Sequence, residues 1–423
     1  MIDIAYLRAN LKEAMEKLQL RNVDKTVVAD IISIDKEYRK VLQSLEELQS
    51  KKNTFNKTIK NLTPKEKSTK LKEIAKWSAK EKMEDKKLEQ LANKRKLLLY
   101  GLPNIPADHV PVGKSDRDNV VIKTVGKKTS FAFQPLDYMT LAQRLDIIDT
   151  VRAAKVSGTR FGYLKGDGAL LWFALLHYAI EQLTNEGFTL FIPPVLVKRQ
   201  TMENTGYDSY TAGGEAYYLP DDDLFLVGTG EHALVPYHSG EILPAESIPL
   251  SYAAYSTCFR REAGSYGKDT KGILRVHQFD KLEMVVLSAP DSSWDQFERL
   301  VSIQERLVKS LGLPYHLLSV CTGDLPKPSA KVIDLECWLP SEQTYRETHS
   351  ASNCTDYQAR RNNIKFRNKE NATVFPYILN ATAMTPRTLI SILENYQQKD
   401  GTIAVPEVLR PYMGSKKSIS KPT

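Results

Sequence analysis

The chain has 423 residues, 42% of them apolar and 26% charged, which is the composition of a globular protein with material for two domains of unequal size. Its longest apolar run, "ALLWFALLHYAI" (169–180), is too short to span a bilayer and carries a histidine, so no transmembrane segment is expected. The formal net charge of +8 is uneven: Lys51–Tyr100 holds sixteen Lys/Arg against six Asp/Glu, so the remainder is close to neutral. A basic element on a balanced protein points to a polyanionic partner. A solvated helix face is the plainer alternative.

The N-terminal stretch "MIDIAYLRANLKEAMEKLQ" carries acidic residues and lacks an uninterrupted apolar core, so it does not read as a secretory signal. From Val27 a 4-3 alternation begins and runs through Ile31, Ile34, Tyr38, Val41, Leu45, Leu48, Lys52, Phe55, Ile59 and Leu62. Ten of these eleven positions are apolar and no proline or glycine interrupts them, which predicts a coiled-coil helix. At the helical rise it would be roughly 54 Å long. Asn61–Pro64 supplies a break. A second, patchier seam follows at Leu71, Ile74, Trp77, Leu88, Leu91 and Leu98. The expectation is an antiparallel helical hairpin over about 27–99 whose far half carries most of the lysines.

Segment 100–122, with Pro103, Pro106 and Pro111, cannot continue that helix and reads as a junction. Beyond it, strands and helices mix without a βαβ rhythm. "GALLWFALLHYAIEQLTNEGF" (168–188) and "TPRTLISILENYQQ" (385–398) read as helices. "TLFIPPVLV", "DLFLVGTGEHAL" and "KVIDLECWLP" read as strands, as do both limbs of a hairpin over Cys258–Val286. The prediction is an α+β body of mostly antiparallel strands flanked by helices. Domain bounds are placed at 1–104 and 105–414, with 415–423 as a flexible tail. The cysteines (258, 321, 337 and 354) form no C-x-x-C pair, which argues for a reduced, cytoplasmic protein without a zinc knuckle.

No P-loop, G-x-G-x-x-G, H-E-x-x-H or G-x-S-x-G pattern occurs. Separated polar clusters occur instead: "GTGEHAL" (228–234), "FRRE" (259–262), "RVHQFDKLEM" (275–284), "RETHSASNCTD" (346–356) and "NATAMTPRT" (380–388). Together they resemble class II aminoacyl-tRNA synthetases, and the similarity to seryl-tRNA synthetases covers nearly the whole chain. "GFTLFIPPVLV" resembles motif 1, the hairpin with its "HQFDKLEM" return resembles motif 2, and "LNATAMTPRTLISILENYQ" resembles motif 3. The resemblance implies an antiparallel sheet flanked by helices, joined to an N-terminal tRNA-binding coiled coil, in a homodimer. It implies ATP and Mg²⁺ in the reaction, L-serine as the amino acid and tRNA(Ser) as acceptor, met by the basic arm and the motif 2 loop "GSYGKDTKG". The residues leave open whether selenocysteine tRNA is charged too.

The chemistry asks for these residue types. An attacking carboxylate meets the α-phosphate of ATP in line, so positive charge must stand where negative charge accumulates. The resemblance assigns Arg260 to the α-phosphate and the substrate carboxylate, Phe279 to stacking on adenine, and Arg387 to the γ-phosphate. A buried structural salt bridge is the competing reading of any one arginine. Arg261, Glu262, Arg275, Thr348 and His349 join the ATP set. Glu347 and Ser350 are the implied Mg²⁺ pair, although the family usually has small or apolar residues where Thr348 and His349 stand. Thr229, Glu231, Glu283, Asn380 and Thr382, with Arg260, are the implied serine set. Gly230 replaces the usual alanine between Thr229 and Glu231. Pro386 replaces the glycine before the motif 3 arginine, and with a Thr385 cap it suits a first helical position. Two other readings compete: a ligase loading an amino acid onto a carrier protein, and a non-catalytic RNA-binding paralogue. The long basic arm argues against the first, and the retained Arg260, Glu283, Glu347 and Arg387 against the second.

Overall fold

A computed structural model describes all residues except 59–62, 209–210, 212, 264–271 and 422–423. Its contacts divide the chain into Ile2–Pro103 and a larger unit formed by Met1 and Asn104–Thr423.

In the smaller unit, two short helices (Ile4–Ala9 and Leu11–Gln19) precede α1 (Lys25–Thr58) and α2 (Pro64–Gly101). The 4-3 seam is what α1 buries: Ile31, Ile34, Val41, Leu45, Leu48 and Phe55 are all under 10% exposed. Ile34, Val41, Leu45 and Leu91 form one apolar cluster, with Tyr38, Leu88 and Leu98 against it. The seam positions Ile59 and Leu62 lie outside the described residues. Lys52, the lone polar seam position, pairs with Glu81 of α2. A buried charge that periodicity does not flag is Asp35, whose side chain is 1% exposed. It accepts from Arg39 Nε at 3.1 Å and Arg95 Nη1 at 2.7 Å, and Arg8 lies 3.6 Å away. A carboxylate can be buried there because three guanidiniums surround it. Arg95 also lies over the Tyr38 ring at 3.9 Å, tying α2 to α1 a second time.

The larger unit is built on an eight-stranded sheet. Its strands are β1 (Val120–Val125), β2 (Thr189–Phe191), β3 (Leu250–Phe259), β4 (Gln278–Ser288), β5 (Tyr315–Ser319), β6 (Lys331–Leu339), β7 (Thr344–Asn353) and β8 (Tyr377–Met384). The spatial order is β1-β5-β6-β7-β8-β4-β3-β2. Every pairing is antiparallel except that of the edge strand β2 with β3. Helices α3 (Asp167–Asn185), α4 (Ser293–Ser310) and α5 (Pro386–Asn395) cover one face. Their Leu171, Leu175, Phe297, Leu300, Leu389 and Ile392 pack on Leu282, Met284, Val286, Leu335, Ala351 and Ala381 of the sheet. Because strand side chains alternate, the other face of β4 is left to Phe279, Lys281 and Glu283.

Two expected strands are shorter than their apolar runs. In "TLFIPPVLV" only Thr189–Phe191 joins the main sheet, and the prolines divert Leu196–Lys198 into a small sheet with Leu224–Leu226. In "DLFLVGTGEHAL" the strand stops at Leu226, and Glu231–Leu234 is a short helix. The junction is pinned by Asn104, whose amide donates to the carbonyls of Pro328 at 2.9 Å and Cys354 at 2.8 Å.

The expected flexible tail is corrected. Ser418–Ile419 pairs antiparallel with Ile403–Ala404, and Ile419 is fully buried. Lys416 binds Asp167 at the start of α3, with Nζ 2.7 Å from Oδ2. A Gly/Ser/Lys-rich composition hid one apolar residue with a pocket to fill. Ile419→Ala should cost about 2–4 kcal/mol, and truncation after Gly414 should lower the melting temperature clearly. A truncated protein that melts with the full-length chain would show the tail to be dispensable.

Candidate active site

The central pairing is β4 between β3 and β8. The hairpin closes through Arg260 N, which donates to His277 O at 2.9 Å, while Arg260 O lies 2.9 Å from His277 Nδ1. At that closed end Arg260 leaves the strand with its Nε on Gly228 O at 3.1 Å and its guanidinium 5.2 Å from the Phe279 ring centroid. Residues 264–271, most of the basic loop expected to meet ATP and tRNA, lie outside the described residues. The return begins at Gly272, at φ +79°, where a Cβ would sit 1.9 Å from the Tyr138 hydroxyl oxygen. That oxygen accepts from Ile273 N and Leu274 N at 2.8 and 3.2 Å, so the glycine lets the backbone lie on it.

Arg260, Glu262, Arg275, Phe279, Lys281, Glu347, Thr348, Thr382 and Arg387 line one cleft above this surface. Four cations face two carboxylates there, which suits a polyphosphate. Arg275 pairs with Glu262 at 2.9 Å. Opposite, Arg387 on the first turn of α5 donates to Glu347 through Nη1, 3.0 Å from both its main-chain oxygen and Oε2. The surrounding protein would push the Glu347 carboxyl up, but Arg387, with Arg260 and Lys281 behind it, holds it below the usual carboxylate range.

Glu347 and Ser350 are three apart on a strand, which ordinarily sends side chains to opposite faces. The register resolves this. Ser350 pairs with Asp334 and His349 with Leu335, but Glu347 pairs with Glu336, so Thr348 is an extra residue. This β-bulge returns Glu347 to the face of Ser350. It also corrects the assignment of His349, whose partner Leu335 belongs to the helix-covered core. His349 is fully buried, and burial lowers its pKa to about 4. It does not line the cleft. Thr348 does, yet its hydroxyl is turned inward, 3.2 Å from Leu335 O and 2.8 Å from His349 Nδ1. Arg261 also points elsewhere, its guanidinium 5.6 Å from the Tyr217 ring centroid. Thr385 has the extended backbone of a cap, but its hydroxyl accepts no N–H of α5 and instead donates to Thr348 O at 3.2 Å. Pro386 takes the first helical position as expected.

Behind the cleft lies a second, closed group. Glu231 is 2% exposed and accepts from Tyr207 Oη at 3.1 Å, Gln358 Nε2 at 2.6 Å and Asn380 Nδ2 at 3.0 Å. Burial raises its pKa, opposed by Gln358, Lys281, Tyr207 and Arg260. Glu283 is 1% exposed and stands across from Thr382 in the β4–β8 register. Lys281 joins the two groups: its Nζ is 3.2 Å from Thr229 Oγ1, and it is ion-paired with Glu283. Tyr207, Gln358 and Lys281 were not legible as site residues. Lys281 alternates with Phe279 and Glu283 on one strand face, which was the available signal. Tyr207 and Gln358 offered none, being supplied by remote segments. At Gly230 a Cβ would meet Ala254 Cβ at 3.0 Å and Ser256 Oγ at 3.2 Å, so the usual alanine would crowd these neighbours.

Comparison with known proteins agrees with this arrangement. Residues 1–106 match the seryl-tRNA synthetase N-terminal domain, and residues 217–396 match the tRNA synthetase class II core domain (G, H, P, S and T). The chain is 42% identical over 414 residues to the serine–tRNA ligase of Thermobifida fusca, covering 98% of each. It superposes on the seryl-tRNA synthetase of Pyrococcus horikoshii complexed with ATP at a TM-score of 0.93, with 37% identity and full coverage of both chains. The cytoplasmic serine–tRNA ligase of Naegleria fowleri in complex with AMP gives a TM-score of 0.87 at 31% identity, covering 98% of this chain and 96% of that one. With identity of this order along its whole length, and a cation-lined cleft above a closed polar pocket, the chain belongs to the seryl-tRNA synthetases, within class II of the aminoacyl-tRNA synthetases.

Proposed function

We propose that this protein activates L-serine with ATP to seryl-adenylate in the cleft, and then transfers the seryl group to tRNA(Ser). The observation that carries the reading is the joining of two environments across β4. An open cleft lined by Arg260, Arg275, Arg387 and Phe279 suits a nucleotide, and the buried Thr229–Glu231–Glu283–Asn380 group behind it suits a small amine bearing a hydroxyl.

The serine carboxylate attacks the α-phosphorus, the bond to the bridging oxygen breaks, and pyrophosphate leaves. Arg260 is the proposed contact for both the attacking carboxylate and the α-phosphate, because its planar fork can hold both. Phe279 offers its ring to adenine, and Arg275, braced by Glu262, lies along the phosphate path. Arg387, at the N-terminus of α5, takes the far phosphate, where the helix dipole adds to its charge. Glu347 and Ser350, on one face through the bulge, fit a hard cation. Mg²⁺ keeps few protein ligands and takes the rest from phosphate and water. Bound there, Mg²⁺ would neutralise charge on the phosphate oxygens. Glu231 and Glu283 give the substrate ammonium and hydroxyl their partners, with Thr229, Asn380 and Thr382.

The basic arm is the proposed tRNA contact, reading phosphate and shape more than sequence. A homodimer is proposed from apolar side chains left exposed on α3 and just after β2, where Leu170 is 49%, Phe173 64% and Ile192 81% exposed. A cytoplasmic location fits four unpaired cysteines, all buried. No helix among the described residues is long and apolar enough to cross a membrane. Serine-dependent ATP–pyrophosphate exchange, followed by transfer of labelled serine to tRNA, tests the whole scheme.

Three outcomes are expected. Deleting the arm (about residues 30–95) should spare pyrophosphate exchange and abolish tRNA charging; equal loss of both in a folded deletion variant would show that the arm has another role. Arg260→Ala should lower exchange by two to three decades, or about 3–4 kcal/mol, with little change in melting. If melting falls sharply while exchange per folded molecule is normal, Arg260 is structural. Thr382→Val should cost serine activation about tenfold and alanine far less, narrowing the serine-to-alanine ratio of kcat/KM. An unchanged ratio would move hydroxyl recognition to Glu283 and Asn380.

A further inference from the structure

Lys281 has no role in the scheme so far, yet it occupies the boundary between the two halves of the site. It is 9% exposed and lines the cleft. Its ammonium reaches back to Thr229 Oγ1 at 3.2 Å and to the Glu283 carboxylate. These are two of the groups proposed to receive serine. Glu283 is itself almost without solvent contact, so its charge depends on a cation from the protein. Burial lowers the Lys281 pKa to about 8, with Arg260 acting in the same direction, while Cys258, Glu231 and Glu347 act against it.

We propose that Lys281 is a positioning residue of the amino-acid pocket, holding the Thr229 hydroxyl and the Glu283 carboxylate in place for the ammonium and hydroxyl of serine. This rests on the assignment of Thr229 and Glu283 to serine. Removing one partner of a buried ion pair leaves an uncompensated charge. Without Lys281, the Glu283 carboxylate must take up a proton or turn away. In either state it is a poorer acceptor for serine, and Thr229 Oγ1 loses the shorter of its two donors, keeping Glu231 N at 3.4 Å. The phosphate path, lined by Arg260, Arg275 and Arg387, does not pass through these contacts.

The test is steady-state pyrophosphate exchange by Lys281→Met, which keeps the stem and removes the charge. Lys281→Gln, which keeps a polar end, serves as a second variant less demanding of the fold. The expected result in both is a serine KM raised tenfold or more, with the ATP KM within about twofold and kcat within about threefold of the parent. A serine KM that is unchanged or lower overturns the proposal, the lower value making Lys281 a competitor for the pocket. Parallel rises in the serine and ATP KM, or a fall in kcat alone, overturn it equally, because they assign Lys281 to the phosphates or to the fold. Thr229→Val and Glu283→Gln separate this from the reading beneath it. If they leave the serine KM untouched, the pocket assignment fails, whatever the Lys281 variants do.

Discussion

The site depends on strand register. β4 lies between β3 and β8, and its alternation sends Leu282, Met284 and Val286 into the helix-covered core while Phe279, Lys281 and Glu283 face the cleft. A slip of one residue would bury the charges and expose the apolar side chains. The same pairing brings Glu283 opposite Thr382 and carries Arg260 to the end of β3, next to Phe279. One bulge at Thr348 does the corresponding work on β7, returning Glu347 to the cleft face. Core packing therefore fixes the chemistry: the apolar residues hold the register, and the register aims the polar ones.

Desolvation sets the electrostatics on that frame. Behind the cleft it is the largest influence on Glu231, Lys281 and His349, raising the first and lowering the other two. At Glu347 the same influence is outweighed by Arg387 and the other cations, and the carboxyl stays ionised in the company of positive charge. The cleft is thus an ionic surface open to solvent, and the pocket behind it is a low-dielectric space where Glu231 is held by Tyr207, Gln358 and Asn380 and Glu283 is paired with Lys281. Such a pocket can discriminate by hydrogen bonding, because a substrate lacking a partner strands a buried group.

The arm follows a different logic. Its stability comes from a seam read every three or four residues, and its one deeply buried charge among the described residues, Asp35, is made tolerable by Arg8, Arg39 and Arg95. Burying such a charge costs stability and specifies which helix positions meet. Exposed lysines such as Lys72, Lys76, Lys82 and Lys86 of α2 stand off that seam.

The amino-acid sequence by itself determined what depends on near neighbours. The 4-3 pattern was enough for the helical arm, because helix packing has a fixed local period. The motif residues Arg260, Phe279, Glu283, Thr382 and Arg387 were marked by the resemblance to seryl-tRNA synthetases, because each motif is a contiguous stretch of sequence. The cleft face itself was not. Whether Glu347 and Ser350 share a side depended on one unpaired residue, Thr348, visible only in the β6–β7 register. The hydroxyl of Thr385 left its helix for Thr348 O, and Ile419 found a strand partner in Ile403. Glu231 drew its donors from Tyr207, Gln358 and Asn380, groups brought together only when distant segments pack. These choices belonged to the tertiary structure, because each is a contact between residues far apart in the chain, and burial decides which such contacts must be made.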